Sequence, residues 1–254
     1  MENMELYFGD CLIEMKKIED KSVDLILCDL PYAKTQAEWD KAIDLDLLWA
    51  EYKRIIKDNG AILLFGEEPF SSKLRISNLE MFRYDWVWEK TTAVGFLNAK
   101  KMPMKAHEII SVFYKHLPTY NPQKTTGHKP VNNYTKHTSD GTLYGKTKTG
   151  ISGGGSTERY PRSVIKVKSK KTYAKSLLTY KTDKQKESLH PTQKPLALLE
   201  YLIKTYTNEG DVVLDNCMGS GSTGVACIKT NRIFIGIEKN EYFFNIAKER
   251  IVNL

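Results

Sequence analysis

The chain has 254 residues, enough for one large domain or one domain carrying an insertion, and its 41% hydrophobic content supplies a core without covalent staples. Four cysteines (Cys11, Cys28, Cys217, Cys227) form no C-x-x-C pair and no Cys/His cluster at metal spacing, which argues against a disulfide framework or zinc site and for a reducing cytoplasm. Residues 1–5 carry no basic segment ahead of an apolar stretch, and no apolar run approaches the ~18 residues of a membrane span, so a soluble cytoplasmic protein is expected.

Leu6-Tyr7-Phe8 is a short apolar run closed by Gly9-Asp10, and Leu12, Met15 and Ile18 then fall at helical spacing. Val23 to Cys28 is too short for a helix and ends at Asp29-Leu30-Pro31, as a buried strand would. Leu48, Tyr52, Ile55 and Ile56 share a helical face; Asn59-Gly60 reads as a left-handed helix stop leading into a strand over 61–65. Further strand-like runs span 82–88 and 109–114.

Regularity fails between Lys115 and Lys186. That segment holds 14 lysines and two arginines against three acids, a balance of +13 in a chain whose total is +7, so the remainder carries about −6. Such a segment suits a phosphate-binding face, because neutralising phosphates releases counterions. Its six tyrosines, interspersed among lysines, point to an irregular insertion that contacts bases or packs on binding. A solvated lysine-rich loop is the plainer reading.

Alternation returns after His190. Pro195 opens a helix whose apolar face is Leu196, Leu199, Leu202, Ile203 and Tyr206. A short strand over 212–214, a tight loop over 219–223, a helix from Gly224, a strand over 233–237 and a helix over 241–252 follow. Strand alternating with helix implies a mostly parallel sheet covered on both faces.

Two constellations carry chemistry. Asp215 to Thr223 (D-N-C-M-G-S-G-S-T) follows a strand and opens a helix, so its glycines allow close backbone approach and the helix N-terminus suits a carboxylate or phosphate. Glu238 ends the next strand about 20 residues on, where doubly wound nucleotide sites place a ribose-binding acid. Asp29-Leu30-Pro31-Tyr32 stands at a strand's C-terminal end, where α/β sheets bind ligands; D-x-P-Y arises by chance in about 2% of chains this long. Ordinary structural turns are the competing reading for both.

Asp29-Leu30-Pro31-Tyr32 resembles the D-P-P-Y motif of DNA amino-methyltransferases, 215–223 resembles their D-P-F-x-G-S-G-T cofactor loop, and His190-Pro191-Thr192-Gln193-Lys194-Pro195 resembles their H-P-T-x-K-P segment. The motif order is that of the β group. The resemblance implies a circularly permuted class I methyltransferase: an α/β doubly wound, mostly parallel seven-stranded sheet (1–114 and 187–254) with a basic target-recognition insertion (115–186). It implies S-adenosylmethionine as cofactor, held by Asp10, Asp29, His190, Thr192, Lys194, Asp215, Cys217, Gly219, Ser220, Gly221, Ser222 and Glu238. It assigns catalysis to Asp29 and Tyr32, with the Leu30 carbonyl as second acceptor and Pro31 shaping the turn. Leu30 departs from the family's first proline while keeping a carbonyl and, ahead of Pro31, an extended bias. Asn216-Cys217 replaces Pro-Phe and removes an aromatic ring from the cofactor loop.

An exocyclic amine is a poor nucleophile until its lone pair is localised, which acceptors at Asp29 and the Leu30 carbonyl favour in the transition state. The base must leave the duplex, with Tyr32 offering a stacking face. No metal is expected. Trp86, Trp88, Lys90 and Lys105 border the base pocket on this reading, although ordinary core or solvated positions suit each singly. His107, His116, His128 and His137 read as surface or satisfied residues. Asp29 favours adenine N6 over cytosine N4; RNA or protein-glutamine methylation and a basic binding module with a vestigial cofactor site are the competing functions. DNA is the expected partner. A homodimer and a partner restriction nuclease are compatible with the family, and no residue specifies either.

Overall fold

A computed structural model describes residues 3–32, 42–136, 151–166 and 193–254. Its elements in chain order are β1 (Met4–Phe8), α1 (Cys11–Glu14), β2 (Val23–Cys28), α2 (Leu45–Ile55), β3 (Ile56–Gly66), α3 (Phe70–Ser77), β4 (Phe82–Val94) and β5 (Lys105–Phe113). Three short strands follow, β6 (Tyr134–Lys136), β7 (Ile151–Gly153) and β8 (Val164–Lys166). The chain then runs through α4 (Leu196–Tyr206), β9 (Val212–Asp215), α5 (Ser222–Lys229), β10 (Ile233–Glu238) and α6 (Glu241–Val252). Among the described residues no helix is long and apolar enough to cross a membrane.

The main sheet has the order β1-β10-β9-β2-β3-β5-β4-β8. Its first five strands pair in parallel, while β5 is antiparallel to both β3 and β4. Eight strands replace the seven expected, because β8, from within the 115–186 segment, adds to the outer edge of β4. β6 and β7 form a separate antiparallel pair.

Period-two alternation divides the core between the sheet's faces. Along β2, Leu25 and Leu27 join the cluster under α4 and α5, whereas Ile26 and Cys28 join the cluster under α1 and α2; Leu63 and Phe65 against Ile62 and Leu64 repeat the pattern on β3. The segment from Phe65 to Phe82, left without an element by pattern reading, contains α3, whose buried face is only Ser71 and Leu74. Asn59-Gly60 is not a helix stop: α2 ends at Ile55, with Ile56 already extended, and residues 57–60 bulge within β3. Gly60 is required there by crowding, since a Cβ would lie 2.8 Å from Ile56 and 2.9 Å from the Asp24 carbonyl oxygen.

Candidate active site

β9 and β2 lie side by side at the point where the strand order reverses, so their C-terminal ends bring residues 215–223 and 29–32 to one crevice, the expected ligand position in an open α/β sheet. The crevice is a continuous cavity of about 600 Å³, within the range of small-molecule sites. Asp10, Asp29, Leu30, Pro31, Tyr32, Lys194, Asp215, Cys217, Gly219, Ser220, Ser222 and Glu238 all line it. His190 and Thr192, like His137, lie outside the described residues.

In one part of the cavity the loop after β9 is held by its own side chains. Asp215 accepts from the Thr223 hydroxyl (2.6 Å) and from the Cys217 N–H (3.1 Å), so its carboxylate shapes the loop from within. Burial lifts this carboxyl to about 6, against the opposing pull of those donors. Gly221 does not line the cavity; it turns the chain into α5 at φ 78°, and a Cβ there would lie 2.9 Å from the Ala247 Cβ. The Ser222 hydroxyl, at the α5 N-terminus, is buried and has no hydrogen-bond partner among the described residues. Glu238, at the end of β10, accepts from the Gly219 N–H (2.9 Å) and the Asn240 N–H (2.8 Å). Asp10 caps α1 by accepting from the Leu12 N–H (2.9 Å). Phe243 of α6 also faces the cavity. Cys217 accepts from the Asn216 side-chain amide (3.6 Å), and the Cys28 thiol is pushed up to about 12, chiefly by burial.

Elsewhere in the cavity a chain of charges converges on Asp29. Its Oδ1 accepts from the Tyr32 hydroxyl at 2.5 Å and its Oδ2 pairs with Lys194 Nζ at 2.7 Å. Lys194 also pairs with Glu108 (3.2 Å), and Glu108 in turn with Lys90. Burial alone would depress the Lys194 ammonium, but the Asp29 and Glu108 carboxylates outweigh it and hold the group above its ordinary value. Burial, then the Asp29 charge, keep Tyr32 protonated well beyond the usual phenol range. Tyr32 packs on Phe70 (centroids 5.0 Å apart), and Lys194 lies 5.1 Å from the Phe65 ring centroid.

Lys194, expected at the cofactor, lines the cavity and pairs there with Asp29 and Glu108. Trp88 and Lys90 line the cavity as expected, whereas Trp86 donates to the Tyr206 hydroxyl (2.7 Å) and Lys105 pairs with Glu67. His107 and His116 are exposed, and His128 bonds Thr125. Pattern reading missed Glu108, Phe65, Glu67 and Phe243. An acid immediately before an apolar run is the trace Glu108 leaves in the sequence.

The sequence matches the DNA methylase family of the N6/N4 type over residues 23–249. It is 27% identical to the Type II methyltransferase M.HpaI of Haemophilus parainfluenzae, across 98% of this chain and 74% of that one. It is 28% identical to the DNA adenine methyltransferase YhdJ of Escherichia coli (strain K12), across 96% and 81%. The crystal structure of the M1.HpyAVI–SAM complex superposes with a TM-score of 0.64 at 25% identity, over 99% of this chain and 100% of that one. The fold is shared as well with the PvuII DNA methyltransferase (cytosine-N4-specific), TM-score 0.67 at 14% identity over 98% and 86%. Profile, relatives and superposition agree: the chain belongs to the N6/N4 DNA methylase family.

Proposed function

We propose that the cavity holds S-adenosylmethionine against a flipped DNA base and that Asp29 directs methyl transfer to adenine N6. The observation that carries this reading is the single cavity joining Asp29-Leu30-Pro31-Tyr32 to the glycine loop and Glu238. The residues suit the cofactor. The unpartnered Ser222 hydroxyl beside the first, unbonded N–H groups of α5 matches its carboxylate, and Glu238 keeps lone pairs for ribose hydroxyls, with Asp10 as a second acid. Phe243 supplies the aromatic wall that Cys217 removed from the loop. His190 and Thr192 belong to this half by resemblance.

When bound, S-adenosylmethionine supplies an electrophilic methyl on a sulfonium. Asp29 does the positioning. Its oxygens, each already taking one donor, have lone pairs left for an amine N–H, and the Leu30 carbonyl takes the second, which favours the pyramidal amine. Lys194 stays an ammonium and fixes Oδ2; Tyr32 stays a phenol and fixes Oδ1. Asp29, which would hold that amine, can also accept the proton the methylated amine sheds. The thiols around Cys217 are held protonated, so none is an activated nucleophile.

Asp29 at the head of the tetrapeptide favours adenine over cytosine N4. Residues 115–186 act as the target-recognition insertion on a catalytic body formed by 1–114 and 187–254, working in the reducing cytoplasm that four free cysteines suit. The reading needs neither a second copy of the chain nor a partner nuclease. Single-molecule sequencing of DNA from cells expressing the wild type should reveal methylated adenine in one defined motif. DNA from cells expressing Asp29→Ala should lack it while the purified variant still binds cofactor by calorimetry. Methylation by that variant would refute the assignment.

A further inference from the structure

The β4–β5 hairpin carries a cluster of exposed apolar residues near the cavity. Val94, Phe96, Leu97, Met102 and Met104 are all exposed, Phe96 at 78% and Leu97 at 96%. A tip this apolar is costly to leave in water. It is nonetheless built: Gly95 at φ 91° turns into a 3₁₀ segment, and the Asn98 carbonyl accepts from the Lys101 and Met102 N–H groups. The base of the same hairpin belongs to the active site, because Trp88, Lys90, Thr92 and Val94 line the cavity. Between Lys90 and His107 there is no acidic residue, while Lys100 and Lys101 stand exposed beside the tip.

A base that leaves a duplex for an enzyme pocket gives up its stacking and pairing, and proteins that distort DNA offset such losses by inserting Phe, Leu or Met into the stack. We propose that Phe96 and Leu97 are a wedge that enters the DNA beside the cavity mouth and fills the space left by the target base, with Lys100 and Lys101 on the flanking phosphates. Apolar bulk goes to the stack and positive charge to the backbone, with no acid to repel it. The proposal rests on the reading of the cavity as a DNA methylation site.

The test uses two duplexes containing the methylated motif, one with the target adenine paired to thymine and one with an abasic site opposite it. Phe96→Ala/Leu97→Ala should methylate the paired duplex roughly tenfold more slowly than wild type in single turnover, and the abasic duplex within about twofold, since its target base is already loosened. Phe96→Leu should recover most of the rate. Cofactor affinity and solution mass should not change. Equal loss on both duplexes, no loss on either, or a dimer converted to monomer would overturn the wedge; the last would mark the tip as a contact between copies of the chain. Failure of the wild type to methylate any DNA would instead sink the underlying reading.

Discussion

Lys194→Met tests the assignment of that residue to the Asp29 side of the site. The Lys194 side chain is 10% exposed, its ammonium 2.7 Å from Asp29 Oδ2 and 3.2 Å from Glu108, whose side chain is 8% exposed. Methionine keeps most of the stem and removes the charge, leaving two carboxylates facing one cavity with Lys90 on Glu108 alone. Breaking a buried pair in this way costs about 3–5 kcal/mol; the partial exposure of Asp29 places the expected loss near 3 kcal/mol. With Oδ2 released, Asp29 loses half its fixation, and a displacement of order 1 Å costs about 100-fold in rate. Urea denaturation reads the stability, stopped-quench kinetics the transfer rate, and calorimetry the cofactor Kd. The expected pattern is a lower kcat with Kd within about threefold of wild type. A Kd weakened more than tenfold with kcat intact would refute the reasoning and return Lys194 to the cofactor.

Gly221→Ala should cost about 2–3 kcal/mol and weaken cofactor binding, because φ 78° is strained for a side chain and the new Cβ meets Ala247; a variant unchanged in urea and calorimetry contradicts this. Asp215 gives a pH signature. Its carboxyl is raised from 3.8 to about 6, so the native state holds an extra proton in that window, and the stability this lends is present below about 4 and lost as pH rises through 6. Relative to Asp215→Asn, wild type should therefore lose about 2.5 kcal/mol between pH 4 and 7; parallel pH curves for the two proteins would rule this out. Lys100→Gln/Lys101→Gln should weaken DNA binding at low salt and reduce the salt slope by about two, whereas an unchanged slope removes both lysines from the phosphates.

The strands that deliver the site were readable because β2, β9 and β10 are short apolar runs, each ending in or just before an acid that lines the cavity: Asp29, Asp215 and Glu238. Their adjacency was implied only by family resemblance; the sheet supplies it through the β9–β2 pairing. Asp10 and Asp215 line the cavity, and the local backbone and loop donors that both carboxylates also accept from are bonds no motif states. Helix α3 was invisible because two buried residues leave no periodic stripe. Glu108 and Lys194 find each other only across strands and a distant loop, so no window on the chain registers the pair. Gly60 was misread for a similar reason: its need for glycine comes from Asp24 and Ile56, not from its own dihedral angles.

The most direct measurement incubates the purified protein with unmethylated genomic DNA and methyl-labelled S-adenosylmethionine, digests the DNA to nucleosides, and identifies the labelled one by chromatography and mass spectrometry. The account predicts label in N6-methyldeoxyadenosine. Label in N4-methyldeoxycytidine would contradict the adenine assignment, and cofactor binding without any labelled deoxynucleoside would contradict the reaction itself.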